Sequence, residues 1–327
     1  MIHSQVKKAT SFFLGAILLF NTACQKSSED PAANTTTYTG TGSVTKGLGA
    51  TTTTNLLTGC SGSRVAAVGT ILSTDGKTPW ILPAETQYMT GKKATDLYND
   101  CSGVKLSNIS QLDVTKVPTT VIDADGTVIT AYVFADNYFE LYINGTLVGV
   151  DPVPYTPFNS GVLQFKVKKP YTIAFKLVDW EENLGLGSEA NGGSSYYPGD
   201  GGLIAYFSDG TKTDATWKAQ TYYIAPLADV NAVTETADGS RSSAGASTKP
   251  TCDGSCYGLH WAIPADWNTK TYNDAGWPSA KIYSTASVGV DNKTAFTNFS
   301  SVWSTASFIW SSNLILDNVV LVRKTVQ

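Results

Sequence analysis

Short runs of β-branched and aromatic residues, each closed by Gly, Asn, Asp or Pro, recur along this chain and limit its fold most. They include "RVAAVGTIL" (64–72), "TVITAYVFA" (127–135), "YFELYI" (138–143), "TLVGV" (146–150), "VLQFKV" (162–167), "YTIAFKLVDW" (171–180), "GLIAYFS" (202–208), "TYYIA" (221–225), "SFIWSS" (307–312) and "NVVLVRKTV" (318–326). Such residues fit a pleated, half-buried surface, and the turn formers between them cut the chain into strands. Helical periodicity is nearly absent, and the one stretch that carries it, residues 85–101, is short. The pattern predicts an all-β fold, a sandwich or a barrel. Its clearest hairpin is "ADNYFELYINGTLVG" (135–149), where Tyr138, Glu140 and Tyr142 alternate with Phe139, Leu141 and Ile143. Asn144-Gly145 supplies the positive-φ pair of a type I′ turn. A second hairpin is expected around Asp75-Gly76.

The first 23 residues read as a secretory leader, with Lys7 and Lys8 ahead of the apolar run Phe12–Phe20 and small residues before Cys24. "NTAC" resembles the end of a bacterial lipoprotein signal, which implies a lipid on Cys24 and a membrane anchor. An ordinary secreted chain with a chance cysteine is the other reading. Glu29–Asp30 resembles the surface-export signals of Bacteroidota lipoproteins, implying the outer-membrane surface. Residues 24–55 are rich in Thr, Ser, Gly and Ala without apolar periodicity, and read as a flexible tether. Residues 56–115 read as a small β-rich segment, and 116–327 as the main sandwich. Within the latter, the polar stretch 229–256 is an excursion of a length that is usually functional or mobile. Loss of Lys7 and Lys8 takes the net charge from −4 to about −6, which leaves no electrostatic footprint for nucleic acid.

Five cysteines are an odd count for an exported chain. With Cys24 lipidated, Cys60, Cys101, Cys252 and Cys256 remain, and an oxidising compartment favours disulfides. Sequence proximity suggests Cys60–Cys101 and Cys252–Cys256, one of three connectivities. Zinc is a weaker reading of "CDGSC", because no second cysteine pair or histidine cluster completes four ligands.

Several pieces stand in an order that resembles galactose-binding-like jelly-roll domains. The hairpin 135–149 is similar to a "D-D-x-F-x-L-Y-V-N-G-x-x-V-G" element, and "YTIAFKLVD" and "GGLIAYF" to the strands that follow. "TDATWKA" (213–219), "YNDAGWPSA" (272–280) and "FIWSSNLILDNVVLVRKTV" (308–326) resemble later elements, the last ending in an arginine-bearing strand. The resemblance covers residues 120–327. It implies a jelly-roll β-sandwich, often a carbohydrate-binding module, with a structural calcium ion in some members. It also implies structural roles for Trp217, Trp277 and Trp310. A shared fold does not fix a function.

Catalytic signals are sparse. His260, the one histidine beyond the leader, lies among apolar neighbours and reads as a packed residue. No nucleophile elbow, zinc-protease helix or phosphate loop is present. The acidic stretch "DWEENLG" offers Asp179, Glu181 and Glu182. They are readable as a solvated loop, as calcium ligands together with Asp136, or as a glycosidase carboxylate pair. In strand geometry Glu181 and Glu182 face opposite ways unless the chain turns there, and Gly185 and Gly187 imply that it soon does. Tyr196 and Tyr197, on a Gly/Ser/Asn-rich loop, could stack on the apolar C–H faces of sugar rings, with Trp180 and Trp267 as further platforms. The expectation is a non-catalytic surface lipoprotein that binds glycan or surface polymer through loop aromatics. A structural or adhesive envelope protein and a glycan-acting hydrolase are the alternatives.

Overall fold

The computed structural model describes residues 38–191 and 194–327; the leader and Cys24 lie outside them. The described chain is built mainly of antiparallel strands in two large sheets. The seven-stranded sheet runs Ser43–Lys46, Tyr257–His260, Lys218–Leu227, Asp317–Val326, Tyr171–Val178, Tyr138–Ile143, Thr146–Val150. The eight-stranded sheet runs Lys281–Tyr283, Phe308–Trp310, Gly202–Phe207, Thr127–Asp136, Ser160–Val167, Thr95–Asn99, Val104–Lys105, with Thr119–Val121 pairing in parallel with Ser160–Val167.

Side-chain alternation decides what each face buries. Phe139, Leu141 and Ile143 join Ile173, Phe175 and Leu177 in a core shared with Val133, Phe165 and Phe207 of the other sheet. Phe139 meets Phe175 edge-on at 6.0 Å, and Phe175 lies 6.1 Å from Trp217. Each fully buried side chain of this size contributes about 1.5–3 kcal/mol by leaving water. The intervening residues of the same strands do not face solvent. Tyr138, Ala174, Val178, Val319 and Leu321 form a second core with Ala66, Ile71, Leu82 and Trp180. The seven-stranded sheet is therefore buried on both faces. Trp217, Trp277 and Trp310 are all buried, as the resemblance implied.

The hairpin 135–149 forms as expected, with Thr146 opposite Ile143 and φ of 52° at Asn144 and 87° at Gly145. Asn144 also fixes the next strand, its Oδ1 accepting from Thr172 N at 2.8 Å. Gly145→Ala is expected to cost about 1 kcal/mol, because a side chain is strained at that φ. A Cβ there would also stand 3.3 Å from Thr269 Cγ2. Chemical unfolding measures it, and an unchanged midpoint would count against the turn assignment.

Three boundaries differ from the sequence reading. Residues 43–46 and 50–53, read as tether, are strands: Ser43–Lys46 pairs with Tyr257–His260, and Ala50–Thr53 pairs with Val68–Leu72. Their threonines lack apolar periodicity, and backbone pairing to distant segments holds them instead. Residues 56–115 are shared out: Val68–Leu72 and Pro79–Leu82 form the Asp75-Gly76 hairpin of a small sheet, while Thr95–Asn99 enters the eight-stranded sheet. The stretch with helical periodicity contains that strand, not a helix. The excursion 229–256 is anchored through Ser243, whose Oγ donates to Asp317 Oδ1 at 2.5 Å. Cys60–Cys101 and Cys252–Cys256 are both disulfides.

Candidate functional site

Two clefts gather chemistry. The first lies on the outer face of the seven-stranded sheet, where Glu140, Tyr142, Lys176, Tyr223, His260 and Val319 project away from the inter-sheet core. Trp80 and Pro83 from the small sheet and Trp261 and Trp267 from the segment after His260 complete a groove of about 450 Å³. His260 is sandwiched: its ring stacks on Tyr223 at 4.3 Å and on half-buried Trp80 at 5.1 Å. Its Nε2 bonds Thr45 Oγ1 at 3.0 Å, and burial pulls its pKa down to about 3, so the ring is neutral. That is the packed histidine expected from its apolar neighbours.

The groove also carries polar groups. Buried Glu140 accepts from Tyr142 Oη at 2.6 Å, Tyr138 Oη at 3.3 Å and the Gln87 amide at 2.5 Å. Lys176 is its cross-strand neighbour, and burial holds that ammonium below its ordinary pKa while the Glu140 charge opposes the shift. The Arg241 guanidinium lies 4.8 Å from the Tyr222 ring and 4.5 Å from the Trp261 ring, which steadies that side of the sheet.

The second cleft, about 560 Å³, sits where strands of both sheets end. Asp136 closes Thr127–Asp136, Asp179 follows Tyr171–Val178, and Asp200 precedes Gly202–Phe207. Asn137 alone separates the strand of one sheet from that of the other, and the Asp136–Asn137 peptide is cis. Asp136, Asp179 and Glu181 are all at least nine-tenths buried. Asp136 accepts from Asn137 Nδ2 at 2.7 Å, and Glu181 Oε1 from the Gly199 amide at 3.1 Å. A Cβ built on Gly199 would stand 3.3 Å from Glu181 Oε1 and 3.5 Å from Asp179 Oδ1, so both carboxyls reach one point. Burial, reinforced by neighbouring negative charge, pushes all three well above the carboxylate range, and burial lifts Asp200 to about 6. Glu189 at the rim is neutralised by Arg64 and also accepts from Tyr155.

The residues singled out in the sequence divide between these places. Of the four acids proposed for calcium, Asp136 and Asp179 line the second cleft and Glu181 is buried beside them near Gly199. Glu182 does not line it: the strand ends at Val178 and the chain bends at Glu182, whose carboxylate accepts from the Ala190 amide at 2.9 Å. Among the described residues no three His, Cys, Asp or Glu side chains stand in metal-holding geometry. Trp180 is corrected: it is 0% exposed, its Nε1 donating to Ala67 O at 3.1 Å, so it cannot stack on a sugar. Trp267 is also buried, edge-on to Tyr142 at 5.5 Å, and serves the groove as wall rather than as an open platform. Tyr197 is 44% exposed at the end of Ser194–Tyr197 and Tyr196 is half-buried, and neither lines the groove. Sequence reasoning passed over Trp80, Glu140 and Asp200. Trp80 lay in a predicted hairpin, Glu140 in an alternating strand and Asp200 in a glycine-rich loop, so no local signal marked them.

No protein-family model, curated protein or solved structure matches this chain.

Proposed function

We propose that this chain is a non-catalytic, carbohydrate-binding surface protein that takes its glycan in the aromatic groove rather than on the tyrosine loop. In this reading the sheets are a galactose-binding-like jelly-roll and Cys24 carries a lipid that holds the protein at the outer membrane. The observation that carries the reading is the groove's composition: a half-buried Trp80 ring backed by His260 and Tyr223, beside Glu140, Lys176 and Gln87. Sugar rings present apolar C–H faces to aromatic rings and hydroxyls to polar groups, and such clefts combine the two.

Retention of the purified protein on a panel of soluble and insoluble polysaccharides tests this. One polymer is expected to retain it, and Trp80→Ala is expected to weaken that binding about tenfold, or ~1.4 kcal/mol. Tyr196→Ala/Tyr197→Ala should bind as the parent does. Failure of a folded protein to bind any polymer, or a Trp80→Ala variant that binds normally, would shift the assignment to an adhesive envelope protein.

A glycan-acting hydrolase is the second reading, favoured by one feature of the acidic cleft. Burial lifts Asp200 to about 6, and buried Asp179 and Glu181 beside it are pushed well above the carboxylate range. An acid and a carboxylate side by side are what glycoside hydrolysis uses. Release of reducing ends from a retained polymer, abolished by Asp200→Asn, would establish it.

A further inference from the structure

We infer that the acidic cleft binds a small organic cation, a molecule carrying a primary ammonium group on a polar frame. The absence of ion pairs is the first ground. Asp136, Asp179, Glu181 and Asp200 form no ion pair with any Lys or Arg among the described residues. The cations at the wall act on them only at a distance: Arg64 is paired with Glu189 and Lys293 lies against the Phe158 ring at 5.1 Å, and their charges favour the ionised forms of Glu181 and Asp136 without pairing with either. The second ground is independent. Asp179 Oδ2 and Glu181 Oε2 are buried with no hydrogen-bond partner among the described residues, and Asp179 lines the cleft. Buried carboxyl oxygens left without donors are costly, and an ammonium that donates to them, with the carboxyl proton released to solvent, removes the cost.

The dimensions select the kind of cation. No three of the acids stand in metal-holding geometry, and about 560 Å³ is the size of a small-molecule site rather than an ion site. Tyr98, Tyr155 and Phe158 add aromatic surface, which favours an ammonium ion attached to a carbon frame. An ammonium group offers three donors in a compact head, one of which can meet the orphaned Asp179 oxygen at the cleft wall. An amino sugar and a polyamine share this chemistry.

Calorimetric titration of the purified chain at pH 7.5 separates the sources, using glucosamine and spermidine in parallel, N-acetylglucosamine as the uncharged counterpart, and calcium chloride. Saturable binding of either amine, absent for N-acetylglucosamine and weakened about tenfold or more by Asp179→Asn, would support the inference, and the amine that binds names the source. Should Asp179→Asn fail to fold, Asp200→Asn, at the half-buried edge of the cluster, gives the same comparison. Three results would overturn the inference: no heat from either amine on folded protein, equal binding of N-acetylglucosamine, or a calcium site that excludes both amines. Amine binding indifferent to both substitutions would overturn it as well. None of these depends on the groove, so polysaccharide retention succeeds or fails separately.

Discussion

At pH 8 the protein carrying Asp179→Asn and Glu181→Gln is expected to melt several degrees above the unsubstituted chain. Changing buried acids usually harms a protein, but these two have no ion-pair partner to lose among the described residues. Unfolded carboxyls titrate near pH 4, whereas Asp136, Asp179 and Glu181 hold their protons to much higher pH, Asp200 to about 6, and Asp151, also buried, to about 8. Between those limits the folded state binds more protons than the unfolded one. Stability from these groups is therefore complete below about pH 4 and is lost as pH rises through the folded values, by about 1.4 kcal/mol per pH unit for each proton held. His260 acts in the opposite sense. Its folded pKa of about 3 lies below the unfolded value of 6.5, so its contribution is present above 6.5 and lost as pH falls toward 3. Five such acids outweigh one histidine, so the melting temperature should be highest near pH 4 and fall toward pH 9, with each kcal/mol worth roughly 2–4 °C. The neutral amides remove two of the titrating groups and should flatten the alkaline limb. Scanning calorimetry from pH 4 to 9 checks this, and a double variant that melts lower at pH 8 would refute it.

Arg323→Ala should produce the largest loss, about 3–5 kcal/mol. The side chain is 2% exposed and works as a fixed hub. Its Nε donates to Asp274 at 2.8 Å, and its terminal nitrogens donate to the Thr269 carbonyl at 3.1 Å, the Tyr272 carbonyl at 3.4 Å and the Trp267 carbonyl. Truncation leaves those carbonyls and a partly buried carboxylate without donors, and frees the segment that includes the Trp267 wall of the groove. Arg323→Lys should recover little, since one ammonium cannot reproduce a planar fork of donors. Urea unfolding measures both, and a loss under 1 kcal/mol for Arg323→Ala would show that water replaces the hub.

The sequence made the strands legible because their chemistry is local. Tyr138–Ile143 and Thr146–Val150 are bounded as their residues predicted, and Asn144-Gly145 determines the register between them. What escaped it depends on partners far along the chain. Ser43–Lys46 has no apolar signature, and its place comes from Tyr257–His260, more than two hundred residues on. Trp180 read as a sugar platform beside acidic residues, but Asp179 and Glu181 are buried on either side of it and the ring packs with Tyr138 at 6.2 Å. Nothing in an alternating strand announces that both of its faces will be covered. The acidic cleft was half legible: three of its members were noted, while Asp200 sat among glycines that read as a flexible loop.

Two-sided burial of the seven-stranded sheet has an evolutionary consequence. Glu140 and Tyr142 of the groove floor alternate with Leu141 and Ile143 of the inter-sheet core along a single strand. A change in the floor is felt at once by the packing beneath it. The surrounding segments, residues 79–87 and 261–267, take no part in the inter-sheet core. Relatives that diverge in ligand preference should therefore keep the floor almost constant and vary at the walls.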